Sequence, residues 1–133
     1  MPEPTGDLSN AQYRELLAVR TTLRKFLRWS EEQARAEGLT PAQHQLLLAV
    51  RGSPDGRGPT IGDVAEALLV RHHSAVGLVD RAVAAGSVRR VTDPDDERVV
   101  RLRLTEPGAR MLRRLSKRHL SELRRLRASG PLI

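Results

Sequence analysis

Thr60-Ile61-Gly62-Asp63-Val64-Ala65-Glu66-Ala67-Leu68, then His72-His73-Ser74-Ala75-Val76-Gly77, then Val88-Arg89-Arg90-Val91, Thr92-Asp93-Pro94-Asp95-Asp96-Glu97-Arg98 and Val99-Val100-Arg101-Leu102-Arg103-Leu104: these segments, in this order, carry the topology of the chain. Thr60 is placed to cap a short helix, with Asp63 three residues on and Ile61, Val64, Ala65 and Leu68 on one face. After a tight turn near residues 69–71, a second helix is expected over residues 72–85, with Leu78, Val79, Ala82 and Val83 facing inward and Gly86 as its stop. Two β-prone runs then flank a turn crowded with charge, which reads as a hairpin. A hairpin directly after a helix-turn-helix pattern is a winged helix. The alternation Arg101-Leu102-Arg103-Leu104 puts the leucines inward and the arginines on the solvent face.

Outward from this centre the chain is helical. Ser9 and Gln12 form a capping box for a long helix over residues 9–37, which carries Tyr13, Leu16, Leu17, Leu23, Phe26 and Leu27 at helical spacing and stops at Gly38. Thr40-Pro41-Ala42-Gln43 opens the next helix with a cap, a first-turn proline and a second box. Residues 52–59, rich in Gly and Pro, are a loop. Thr105, with Glu106 and Pro107, starts a last helix bearing Met111, Leu112, Leu115, Leu120, Leu123 and Leu126. The fold class expected is therefore mainly α with a small β-hairpin, in one domain. Residues 40–105 form the winged helix-turn-helix lobe, and residues 9–37 and 106–127 form flanking helices. Those helices carry apolar stripes that a compact lobe does not need. Burial against a second copy, in a homodimer, is one way to cover them; packing on each other within one chain is the other.

Composition narrows the function. The 133 residues carry no cysteine, so disulfides, thiolate metal sites and thiol redox chemistry are excluded within the chain. Aromatic residues make up only 2%, which leaves Leu, Val and Ala to fill the core. No apolar run reaches membrane-spanning length, and the acidic, proline-containing Met1-Pro2-Glu3-Pro4 does not read as a signal peptide; a cytoplasmic protein with no membrane partner is expected. The net charge is +7. Much of it comes from the last helix, where Arg110, Arg113, Arg114, Lys117, Arg118, Arg124, Arg125 and Arg127 face only Glu106 and Glu122. Such an excess suits a polyanion, with double-stranded DNA the first partner to consider; the same run equally suits a solvated helix face. No carboxylate pair, activated nucleophile or phosphate-cradling glycine loop points to an enzyme or a cofactor. Adjacent helical histidines point apart by about 100°, so His72-His73 does not make a metal site.

On these residues the chain resembles a specific family. Leu39-Thr40, Ile61-Gly62-Asp63-Val64-Ala65-Glu66-Ala67-Leu68, His73-Ser74-Ala75-Val76-Gly77-Leu78-Val79-Asp80-Arg81, Gly86-Ser87-Val88-Arg89-Arg90, Asp93-Pro94-Asp95-Asp96-Glu97-Arg98 and Leu104-Thr105-Glu106-Pro107-Gly108 stand in the order found in the multiple antibiotic resistance regulator (MarR) family. Each piece is common among winged helices; the ordered set, above all the Asp-x-Arg of the wing followed by a strand and Leu-Thr-x-x-Gly, is specific. The resemblance implies a homodimeric transcription regulator whose recognition helix enters the major groove and whose wing reaches the minor groove. It also implies release by a small aromatic or lipophilic effector bound between the dimer helices and the DNA-binding lobe.

The expected contacts follow. Arg71, His72 or His73 could donate to guanine, and Ser74 to a base edge or a phosphate. Gly77 would admit a phosphate or base closely. Arg81 is expected to meet a phosphate or to pair with Asp80 or Glu66. The paired histidines depart from the small polar residues commoner there in the family. Arg98, oriented by Asp96, is the candidate for the minor groove. Arg89, Arg90 and Arg101 are expected to add phosphate contacts at the wing base. Tyr13, Phe26 and Trp29 are the only Phe, Trp or Tyr residues. Phe26 and Trp29 share a helix face and, with His44 opposite, are the candidate effector pocket, with plain packing as the alternative. Two competing functions are a nonspecific or architectural DNA-binding protein using the basic last helix, and a winged-helix protein-interaction module.

Overall fold

The computed structural model describes residues 6–130, so Met1–Pro4 lies outside the described residues. Five helices and one hairpin follow in order: α1 (Asn10–Ala36), α2 (Pro41–Arg51), α3 (Ile61–Leu68), α4 (His72–Ala84), β1 (Val88–Thr92), β2 (Val100–Leu104) and α5 (Glu106–Ala128). The local signals explain where each helix begins. Ser9, Thr40 and Thr60 each accept a hydrogen bond from the amide three residues on, and the Gln12, Gln43 and Asp63 side chains each accept one from the cap amide. Thr105 accepts from the Gly108 amide in the same way. Each such cap satisfies an amide that a helix start would otherwise leave unpaired, for about 1 kcal/mol. α3 ends on Leu69, which adopts a left-handed conformation (φ 56°) and turns the chain into α4.

β1 and β2 pair antiparallel in the register Val88↔Leu104, Arg89↔Arg103, Arg90↔Leu102, Val91↔Arg101 and Thr92↔Val100. The core lies where α2, α3, α4, the hairpin and the first half of α5 converge. Leu46, Leu47, Val64, Val79, Val88, Leu102 and Leu115 are fully buried there. α1 contributes only Ala34 to the buried core, and Tyr13, Leu16, Leu17, Leu23 and Leu27 stand exposed along it in the single chain. At its far end, Glu37 accepts hydrogen bonds from Arg114 Nε (3.1 Å) and Arg118 Nη2 (2.8 Å), which fasten α1 to α5. These bonds, Arg114 first, hold the Glu37 carboxyl below its usual range. No described helix is long and apolar enough to cross a membrane.

Two glycines allow backbone to touch backbone. Gly58 (φ 96°) lies against β2 so closely that a Cβ would stand 2.3 Å from the Leu102 carbonyl oxygen. The Leu102 amide completes the seam by donating to the Pro59 carbonyl (2.8 Å). Gly108, in the first turn of α5, faces the Ser87 carbonyl, where a Cβ would stand 2.1 Å from the oxygen. The Thr105 amide donates to that same carbonyl (3.1 Å), and the Thr105 hydroxyl donates to the Gly86 carbonyl (2.6 Å). The end of α4, the start of the hairpin and the start of α5 thus meet at a single node.

One expectation fails here. The strict alternation of β2 would put Arg101 in solvent, ready for a phosphate; instead Arg101 and Leu102 are both buried. The loop between α2 and α3 folds over Arg101, and the Asp93 and Asp55 carboxylates and the Gly58 carbonyl satisfy its guanidinium there. Arg101 is not available to DNA.

Candidate nucleic-acid interface

α4 presents Arg71, His72, His73 and Ser74 to solvent at its first turn, while Ala75, Leu78, Val79 and Ala82 face the core. α4 alone among the five helices has no side chain capping its N-terminus, and no acidic residue stands in its first turn. Its leading amides and positive dipole end are therefore open to an anion. Gly77 is half-buried, and the Arg81 guanidinium lies beside it: a Cβ at Gly77 would stand 3.4 Å from Arg81 Nη1. Of the two partners considered for Arg81, Asp80 instead takes Arg90, from β1. That ion pair joins the exposed side of α4 to the hairpin, and it compromises Arg90 as a free phosphate contact. Arg89 and Arg103 are exposed and directly opposite across the two strands. Like charges in that register repel each other, so an anion between them is favoured. Arg103 has no assignable role before the fold, because only the register places it beside Arg89.

The wing tip is built around carboxylates. The Asp93 amide donates to the Val99 carbonyl (2.9 Å) and the Val99 amide to the Asp96 carbonyl (3.0 Å), closing the turn. The Asp96 carboxylate accepts the Arg98 amide (3.0 Å), Nε (3.1 Å) and Nη2 (3.1 Å). This grip lowers the Asp96 pKa and raises that of Arg98, in each case chiefly through the side-chain hydrogen bond. The Arg98 side chain remains 90% exposed. It is a solvent-facing cation in a fixed orientation, as the Asp-x-Arg spacing led one to expect. The tip around it is otherwise acidic.

Phe26, Trp29 and His44 come together, but around a residue the sequence did not single out. The His119 ring lies 4.9 Å from Trp29, 4.9 Å from His44 and 6.1 Å from Phe26. His119 Nδ1 lies 2.7 Å from the Leu115 carbonyl oxygen, which can only accept, so Nδ1 carries a proton; Nε2 lies 2.7 Å from Ser30 Oγ. In the single chain this is a packed cluster. Two surface cavities among the described residues lie elsewhere. A cavity of about 710 Å³ is bounded by α2, α3 and their loop, and includes Leu48, Asp55 and Glu66; one of about 590 Å³ lies along α1.

Burial, and secondarily the neighbouring His119, push the His44 pKa below its ordinary 6.5. A base whose pKa is lower in the folded state adds stability above its unfolded pKa and loses it as pH falls through the folded one. The unfolding temperature should therefore drop between about pH 7.5 and pH 5, and His44→Leu should flatten that slope. Equal slopes for both proteins in calorimetry would refute this role.

Comparison with known proteins agrees with this fold. The MarR family model matches residues 37–99. A MarR family protein from Bacillus stearothermophilus is 25% identical with a TM-score of 0.74, over 90% of this chain and 82% of that one. AbsC, a MarR family transcriptional regulator from Streptomyces coelicolor, is 25% identical with a TM-score of 0.70, over 91% and 81%. A mutant of S. aureus MepR bound to an oligodeoxyribonucleotide is 17% identical with a TM-score of 0.69, over 94% and 86%. No sequence among the curated proteins matches the chain.

Proposed function

We propose, from the premise that this chain belongs to the MarR family of winged-helix regulators, that it is a homodimeric repressor of transcription which binds a near-palindromic operator. α4 enters the major groove and the wing, residues 92–98, enters the adjacent minor groove. The observation that carries this reading is Arg98: a fully charged guanidinium, oriented by Asp96 and left open to solvent. A preoriented arginine is what a narrow minor groove selects, because the negative potential is deepest there. Arg71, His72, His73 and Ser74 on the uncapped first turn of α4 supply base and phosphate contacts. Arg81, beside Gly77, and the facing pair Arg89 and Arg103 bind the backbone. Arg90, paired with Asp80, holds the hairpin against α4 and contributes to DNA binding indirectly.

Homodimerisation is supported by the α1 stripe Tyr13, Leu16, Leu17, Leu23 and Leu27, which nothing among the described residues covers. A two-fold dimer would set its half-sites about 34–36 Å apart. A small aromatic or lipophilic effector reaching Phe26, Trp29 and His44 must displace His119, and this would loosen α5 from α1 and α2. The architectural alternative based on α5 loses two of its cations, because Arg114 and Arg118 are already engaged by Glu37.

Selection of bound sequences from a random DNA pool tests the reading. A motif with two-fold symmetry is the expected result, with affinity falling by a log–log salt slope of about −0.9 per neutralised phosphate. Bound sequences without a two-fold motif would overturn it.

A further inference from the structure

We infer that Arg101 is a positioning residue for Arg98, and that the loop between α2 and α3 acts through it to set where the wing arginine points. The loop and the wing tip are joined by an unbroken series of bonds. From the loop, the Asp55 carboxylate (3.2 Å) and the Gly58 carbonyl (2.9 Å) accept from Arg101 Nη1. Arg101 Nε donates to the Asp93 carboxylate. The other oxygen of that carboxylate accepts the amides of Asp95 (2.8 Å) and Asp96 (3.1 Å), which shapes the turn. Asp96, so placed, holds Arg98. Arg57 braces the series from outside, pairing with Asp55 (3.1 Å) and Asp93 (3.5 Å).

The burial of the central members gives the series its purpose. The Arg101 side chain is 10% exposed and that of Asp93 is 2% exposed. Burying two ions is costly, and apolar residues of similar size often stabilise a fold as well or better. Directional bonds give something an apolar contact cannot: a fixed distance and angle between the loop and the amides of the turn. The planar guanidinium suits this task because it presents several donors in one rigid fork, whereas lysine offers a single point charge. Both anchors at the loop end are themselves fixed. Asp55 accepts the Arg57 amide (2.9 Å), and Gly58 lies in the backbone seam with β2. Arg101 is thus the buried side chain through which the wing tip is registered against the body of the lobe, while Arg57 reaches Asp93 (3.5 Å) and Asp95 (3.9 Å) from the half-exposed outer side.

This inference rests on the reading that Arg98 contacts DNA, and the test separates the two. The first arm uses no DNA. Amide exchange at Asp95 and Asp96 is followed by NMR in the full chain, and Arg101→Met should speed it by roughly tenfold while amides of α2 and α4 keep their protection. The second arm is a double-mutant cycle on the selected operator. Arg101→Met should reproduce most of the affinity loss of Arg98→Ala, and the double variant should be no more than about twofold weaker than Arg98→Ala alone. If Arg101→Met does not fold, Asp55→Asn, on the more exposed end of the series, takes its place in both arms with smaller shifts in the same direction. Unchanged exchange at Asp95 and Asp96, or losses that multiply in the double variant, would overturn the positioning role. An Arg98→Ala variant that binds the operator as well as the parent would instead remove the DNA reading, with the exchange arm still deciding the role of Arg101.

Discussion

Arg98→Ala should weaken binding to the selected operator by roughly ten- to a hundredfold, about 1.4–2.8 kcal/mol at 1.4 kcal/mol per decade. The alanine removes one cation, so the salt slope should become shallower by about 0.9. Loss of a general phosphate contact would weaken binding to all sequences alike. Loss of a minor-groove contact should fall mainly on operators whose flanking segment has a narrow groove. Arg98→Lys separates charge from shape: it keeps the cation but gives up the two side-chain bonds to Asp96 (3.1 Å and 3.1 Å), so it should recover the salt slope and only part of the affinity. Filter binding at several salt concentrations reads all three effects. Equal affinity for parent and Arg98→Ala would remove the wing from the interface. The folded state itself should hardly change, because the Arg98 side chain is exposed and exposed ion pairs contribute little.

Gly108→Ala is expected to have the largest effect on stability. Helix propensity alone favours the alanine by about 1 kcal/mol. Against it, the new methyl group would stand 2.1 Å from the Ser87 carbonyl oxygen and 2.9 Å from its carbon, both backbone atoms that no side-chain rotation can move. Relief requires α5 to back away from the node at Ser87, where the Thr105 amide and hydroxyl are also bonded. Overpacking of this severity should cost about 3 kcal/mol or more net, and lower the unfolding midpoint by roughly 10–20 °C. Gly56→Ala is the matching control, since nothing lies within 4 Å of a Cβ there. Calorimetry of the two variants beside the parent checks both. A Gly108→Ala protein as stable as the parent would mean that the α5 start is not locked to the hairpin.

The parts of the fold that can be read from sequence are those governed by short separations. The capping boxes at Ser9, Thr40 and Thr60 act over three residues, and the Asp96–Arg98 grip over two; each is present as its spacing suggests. What stays hidden is set by separations of tens of residues. Arg101 carries the solvent-face signature of an alternating strand, and only the arrival of Asp55 and Gly58, more than forty residues earlier, turns it into a buried charge. In the same way Glu37 ends one helix with no visible purpose until α5 brings Arg114 and Arg118 beside it. His119 looks like one more polar residue on a basic helix, yet it stands at the centre of the aromatic cluster. For Gly58 and Gly108 the residue type hints at a close approach, but the carbonyl being approached cannot be known before the fold.

The position of Trp29 has a practical consequence. It is the only tryptophan in the chain, and its ring packs 4.9 Å from His119 and 6.0 Å from Phe26, at the junction of α1 with α5. Its ultraviolet emission is therefore a single-site optical signal that needs no label and reports on that junction alone. Separation of the long helices alters the environment of the fluorophore. Motion confined to the wing, which supplies none of the aromatic neighbours of the ring, leaves the signal silent. The protein thus carries a built-in means of telling a rearrangement of its terminal helices from one of its wing.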